Sequence, residues 1–239
     1  MDQLVKDKVL VALDVETREH AVRLANMLQD RVGGFKIGSR LFTAEGPSMV
    51  RTLVERGDKV FLDLKFHDIP NTVATAVAAA TELGVWMVNV HASGGTAMMQ
   101  AARAAAHETA ARRNLQPPLV IAVTVLTSMN QAALRETGVV IDLMDQVLRL
   151  AELAREAGLD GVVASPRETS SIRARCGDGF AIVTPGIRGG SAAATKDDQE
   201  RKMSPADAVA AGATYLVVGR PIIAAPDPKQ AAEAIAASV

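Results

Sequence analysis

Val60-Phe61-Leu62-Asp63-Leu64-Lys65 runs through a five-residue link into Asn71-Thr72-Val73-Ala74-Thr75-Ala76-Val77-Ala78-Ala79-Ala80-Thr81-Glu82-Leu83. The first stretch alternates as a strand does, with Val60, Leu62 and Leu64 on one face and Phe61, Asp63 and Lys65 on the other. The second is an Ala-rich helical run, and Gly84 follows it where a left-handed C-cap is wanted. Together they make one βα unit.

The same unit recurs along the chain. Strands are predicted over Val9 to Asp14, Gly34 to Gly38, Val60 to Lys65, Trp86 to His91, Leu119 to Thr124, Gly161 to Ala164, Ala181 to Thr184 and Tyr215 to Gly219. Helices fill the intervals: Arg18 to Gln29, Pro47 to Arg56, Asn71 to Leu83, Thr96 to Arg112, Leu143 to Glu156, Arg167 to Arg173, Pro205 to Ala210 and Lys229 to Ala237. Gly57, Gly158 and Gly212 punctuate helix ends as Gly84 does. Eight such pairs indicate a parallel sheet. An open doubly wound sheet would call for a Gly-x-Gly-x-x-Gly turn after a strand, and no strand here has one. The chain has 239 residues, close to the roughly 250 of one complete barrel. The expectation is therefore an α/β fold, a single (β/α)8 TIM barrel spanning residues 1–239 as one domain.

In the strand from Val60 the apolar face must meet the helices, which turns Asp63 and Lys65 into the barrel at the C-terminal end of strand three. That end carries catalytic residues in this fold. On strand one the same parity sends Val9, Val11 and Leu13 outward and leaves Asp14 inside. On strand two Phe35 and Ile37 face outward and Lys36 inward. Asp14, Lys36, Asp63 and Lys65 thus converge on one mouth with alternating sign. A rim of structural salt bridges is the bland reading of any one of them. Four together argue against it, because desolvating so many ions costs several kcal/mol each unless they are well paired, and apolar residues often serve stability as well. A lysine flanked by carboxylates is held protonated, so Lys65 reads as a proton donor suited to a reaction that generates a carbanion.

Strand seven ends in Thr184-Pro185-Gly186-Ile187-Arg188 and strand eight in Val218-Gly219-Arg220-Pro221-Ile222. Loops after these strands form the commonest phosphate site of the fold, with glycine N–H groups and arginines as the donors. Arg188 to Met203 is too polar and Gly/Ala-rich for a core element and reads as a lid. Among the histidines, His91 closes strand four on its inner face beside Asn89 and supports the rim. His67 lies inside the strand-three loop, while His20 and His107 sit on solvated helix faces.

Composition narrows the partners. A net charge of −1 without a basic stripe argues against nucleic acid, and no apolar run is long enough to span a bilayer. The N-terminal residues carry mixed charges and no signal-like apolar stretch. Cys176 is the lone cysteine, so it has no internal disulfide partner and suits a reducing cytoplasm.

Asp63-Leu64-Lys65-Phe66-His67-Asp68-Ile69-Pro70-Asn71-Thr72 resembles the Asp-x-Lys-x-x-Asp signature of the orotidine 5′-phosphate decarboxylase family. Leu13-Asp14, Phe35-Lys36-Ile37-Gly38, Val88-Asn89-Val90-His91-Ala92, Leu126-Thr127-Ser128, Thr184 to Arg188, Asp198-Gln199 and Val218 to Ile222 are similar to the family's blocks in the same order, over nearly the whole chain. The resemblance implies a catalytic tetrad of Lys36, Asp63, Lys65 and Asp68, with Asp68 reaching into the site of a partner subunit of a homodimer. Asp14 and Lys36 would hold ribose hydroxyls, Thr127 would lie near the pyrimidine and Gln199 would bridge base and phosphate from the lid. Arg188, Gly219 and Arg220 would hold the phosphate, and Ile69 and Thr72 would meet the neighbouring subunit's ligand. The implied substrate is orotidine 5′-phosphate and the product UMP, with no metal or cofactor.

Two rival readings use the same barrel. A magnesium-dependent sugar-phosphate decarboxylase or aldolase of the same superfamily would want an acidic ligand where Lys36 stands. A catalytically silent nucleotide-binding barrel would need the phosphate end but not the lysine and carboxylate array.

Overall fold

The computed structural model describes residues 6–187 and 203–239. Eight parallel strands close on themselves in chain order, each hydrogen-bonded to its sequence neighbours and the last to the first. They are β1 (Val9–Ala12), β2 (Gly34–Gly38), β3 (Val60–Phe66), β4 (Met87–His91), β5 (Leu119–Val123), β6 (Gly161–Val163), β7 (Ala181–Pro185) and β8 (Tyr215–Val218). The helices between them are α1 (Arg18–Leu28), α2 (Ser39–Glu45), α3 (Pro47–Glu55), α4 (Pro70–Glu82), α5 (Gly95–Arg113), α6 (Gln131–Glu136), α7 (Leu143–Glu156), α8 (Thr169–Cys176), α9 (Pro205–Ala210), α10 (Arg220–Ile223) and α11 (Pro228–Ala237). The closed barrel is the architecture expected from the sequence.

Alternation along the strands divides the core into two layers. Val9, Val11, Leu13, Phe35, Ile37, Val60 and Leu62 pack outward against the helices. Leu10, Ala12, Phe61, Met87, Ile121, Val123, Val163, Val183 and Val217 fill the interior. Each fully buried Val, Leu or Phe in these layers contributes roughly 1.5–3 kcal/mol. Strands also approach closely where a side chain is missing: a Cβ at Gly161 would stand 2.2 Å from the Ala181 carbonyl oxygen, which closes the β6–β7 seam to anything larger. Gly57, Gly84, Gly158 and Gly212 all take positive φ, as their positions after helices require.

Several boundaries differ from the sequence expectation. β1 stops at Ala12, so Asp14 lies in the loop beyond it, although the Leu13 N–H still donates to the Lys36 carbonyl at 3.0 Å. The helix expected from Arg167 begins instead at Thr169, after a 3-10 turn over Pro166–Glu168 in which the Ser165 N–H donates to Glu168 Oε2 at 2.8 Å. Three short helices, α2, α6 and α10, were not anticipated because none is long enough to display a helical period. α6 is capped by Asn130, whose Oδ1 accepts from the Ala133 N–H. Among the described residues no helix is long and apolar enough to cross a membrane.

Candidate active site

The C-terminal ends of the strands surround a cavity of about 1070 Å³. Its floor is the top of the inner layer: Ala12, Phe61, Val123, Val163 and Val217. Asp14, Lys36, Asp63 and Lys65 line one side, as strand parity predicts, and Thr127, Gly186, Gly219 and Arg220 line others. The Gly186 and Gly219 stretches follow β7 and β8, where a phosphate would be held in this fold. Arg188 and Gln199 lie outside the described residues, as does the proposed lid apart from Met203, which forms an isolated parallel bridge with Ile187.

The four charges form one continuous chain of ion pairs. Lys36 Nζ lies 3.2 Å from Asp14 Oδ1 and 3.3 Å from Asp63 Oδ2, and Lys65 Nζ donates to Asp63 Oδ1 at 2.7 Å. Lys36 is buried and the Asp63 side chain nearly so, whereas Asp14 and Lys65 open more to the cavity. Burial by itself would raise the carboxyl of Asp63. The positive charges of Lys36 and Lys65, with hydrogen bonds from Lys65 and Asn89, outweigh it and hold this carboxyl below the usual aspartate range. The arrangement therefore keeps an anion fixed between two ammonium groups at the mouth of an apolar-floored cavity.

A depressed carboxyl pKa has a sign in stability. The ion pairs of Asp63 add stability above the unfolded value of 3.8 and lose it as pH falls through the lower folded value. The melting temperature of the native chain is expected to drop more steeply below about pH 4 than that of Asp63→Asn. Parallel curves for the two proteins would show that Asp63 titrates alike folded and unfolded.

Lys65 has φ +54°, in the left-handed region. Such a backbone costs a non-glycine residue of order 1–3 kcal/mol and persists only where its surroundings impose it. Here β3 bulges: Leu62 pairs with Val88 and Phe66 with Val90, so residues 63, 64 and 65 lie opposite Asn89 alone. Asn89 is fully buried; its Oδ1 accepts from the Lys65 N–H at 2.8 Å and its Nδ2 donates to Asp63 Oδ1 at 2.8 Å. Strand parity places Asn89 on the inner face of β4 but gives it no task. The signal is an amide in the middle of a buried strand, between Met87 and His91 on the inner face, since a buried polar group requires partners.

His91 closes β4 as expected, with its ring centroid 5.3 Å from that of His67. Burial, then the nearness of His67 and Lys65, lowers the His91 pKa against the opposing pull of Asp63, which favours the neutral ring. Among the described residues no group of three or more His, Cys, Asp and Glu side chains is arranged to hold a metal ion. Asp68, Ile69 and Thr72 are not part of the cavity wall of their own chain. All three are exposed, Ile69 at 66%, and Asp68 Oδ1 accepts from the Ile69 N–H at 2.6 Å.

Comparison with known proteins agrees with this geometry. The chain is 57% identical over 235 residues to the orotidine 5′-phosphate decarboxylase of Moorella thermoacetica, covering 98% of this chain and 92% of that one. It is 57% identical over 221 residues to the enzyme of the same name from Alkalilimnicola ehrlichii, covering 92% and 91%. The crystal structure of orotidine 5′-phosphate decarboxylase from Lactobacillus acidophilus superposes with a TM-score of 0.85 at 38% identity, over 96% of this chain and 97% of that chain. Residues 7–235 match the family model described as orotidine 5′-phosphate decarboxylase / HUMPS, and on that match and these relatives the chain belongs to this family.

Proposed function

We propose that this protein decarboxylates orotidine 5′-phosphate to UMP and CO2 in de novo pyrimidine biosynthesis, without metal or cofactor. The observation that carries the reading is the unbroken Asp14–Lys36–Asp63–Lys65 array on one wall of a cavity whose other walls include Gly186, Gly219 and Arg220. Loss of CO2 leaves an electron pair on C6 of the pyrimidine, and the Lys65 ammonium supplies the proton that replaces the carboxyl group. A positive charge fixed beside C6 favours the developing carbanion over the ground state, which lowers the barrier. Asp63 holds Lys65 in place and meets the substrate carboxylate as a like charge.

Asp14 and Lys36 are assigned to the ribose hydroxyls and Thr127 to the pyrimidine. Arg188, Gly219 and Arg220 are assigned to the phosphate, and Gln199 to a bridge between base and phosphate. Phosphate contacts then draw the lid over the ligand, so that remote binding energy organises the charged cluster. The whole chain acts as one catalytic domain in a cytoplasmic homodimer. Exposure of Asp68, Ile69 and Thr72 outside their own cavity suits residues that serve the neighbouring subunit's ligand. A magnesium-dependent site is disfavoured by Lys36, whose ammonium stands between Asp14 and Asp63 and would repel a divalent cation.

The deciding experiment is CO2 release from orotidine 5′-phosphate with and without a chelator. Turnover indifferent to the chelator is expected; no turnover, or turnover that needs magnesium, would overturn the reading. Arg220→Ala should weaken binding of UMP by roughly 10-fold or more while uridine binding changes little, as loss of a charge-assisted phosphate contact predicts. Equal weakening of both ligands, measured by calorimetry, would move the phosphate elsewhere.

A further inference from the structure

We infer that Asn89 is a positioning residue for the Asp63–Lys65 pair, using its one amide to set the backbone of the lysine and the orientation of the carboxylate. The bulge in β3 sets three residues against Asn89, and the N–H of the last of them, Lys65, is taken by the Asn89 side chain. The same amide's Nδ2 reaches Asp63 Oδ1, the oxygen that also accepts from Lys65 Nζ. Asn89 is thereby tied to both ends of the Lys65 residue: directly to its main chain, and through Asp63 to its ammonium.

An apolar residue of similar size at this position would leave the part-buried Lys65 N–H without its acceptor and remove one donor from a carboxylate oxygen. The left-handed φ of Lys65 would lose its tether, and the ammonium would no longer be held at a fixed height above the floor. The groups facing Asp63 are Lys36 from β2, Lys65 from β3 and Asn89 from β4. Asp14 acts through Lys36, and His91, paired with the ring of His67, is near enough to feel both Lys65 and Asp63. Among them Asn89 is a neutral donor, so changing it alters how Asp63 is solvated without changing the net charge of the cluster.

The kinetic part of this inference rests on the decarboxylase reading; the structural part does not. Two variants separate the roles. Asn89→Leu removes both hydrogen bonds, and Asn89→Asp keeps an acceptor for the Lys65 N–H but loses the donor to Asp63 while both carboxyls are ionised. In the ligand-free protein, carbon-13 NMR titration of Asp63 is expected to shift to higher pH in Asn89→Leu. With orotidine 5′-phosphate, kcat should fall about 10²-fold with KM changed far less, as misplacement of a reacting group by about 1 Å predicts. For Asn89→Asp, the two carboxylates at this separation repel each other, which raises the pH at which the pair takes up one proton. As pH falls the pair takes up a proton that restores a donor, so turnover relative to the native chain should rise.

If Asn89→Leu does not fold, Asn89→Asp decides alone by its pH profile. An Asp63 titration unchanged in Asn89→Leu, or a profile for Asn89→Asp parallel to the native one, would overturn the inference. Failure of the native chain to release CO2 would instead overturn the decarboxylase reading, and the NMR titration would still decide the part played by Asn89.

Discussion

Lys65→Ala is expected to lose CO2 release by roughly 10⁴-fold or more, because one side chain supplies both the positive charge beside the reacting carbon and the proton that ends the reaction. Binding of UMP should change far less, since the phosphate and ribose are held by other walls of the cavity. The variant also leaves Asp63 with Lys36 as its one remaining ammonium partner among the described residues, so its carboxyl should titrate at a higher pH than in the native chain. Single-turnover measurement of CO2 alongside calorimetry with UMP separates the two effects. Near-native turnover in Lys65→Ala would remove the lysine from the mechanism.

Restoring activity by mixing two dead proteins is the second large effect. Lys65 lines the cavity of its own chain, and Asp68 stands outside it. If Asp68 serves the neighbouring subunit, homodimers of Lys65→Ala and of Asp68→Ala each lack one member of both sites. A heterodimer of the two carries one site with both changes and one with neither. With equal mixing about half the dimers are hetero, each with one intact site, so activity should approach roughly a quarter of native under two-fold symmetry with independent sites. Confirmed subunit exchange with activity still at the level of the parents would sink the shared-site arrangement.

Strand parity sufficed to bring Asp14, Lys36, Asp63 and Lys65 to one mouth, because an apolar outer face leaves no choice of direction for the residues between. It succeeded even for Asp14, which lies past the end of β1. Parity did not reveal the bulge in β3, and the reason is arithmetic. Three residues opposite one is an excess of two, and an even excess leaves the alternation of Phe61, Asp63 and Lys65 undisturbed. The partners of Asn89 were hidden with it, since bonds between strands depend on register, which a single strand's pattern does not encode. The short helices α2, α6 and α10 escaped for a different reason: four to seven residues are too few to distinguish a helical period from a loop.

Ala12, Phe61, Val123, Val163 and Val217 serve at once as the floor of the cavity and as part of the packing that fills the barrel. This double duty bears on how the scaffold can be redesigned. Enlarging a floor residue to fit a shallower ligand would press into a layer already close-packed, where overpacking costs typically 1–3 kcal/mol. Trimming one to deepen the cavity would open a void beneath it. The wall residues beyond the strand ends carry no such constraint, because Thr127 in a turn and Arg220 at the start of α10 do not fill the inner layer. An engineer seeking a new ligand for this barrel would keep the depth constant and rewrite the rim, accepting only those guests whose apolar end matches the existing floor.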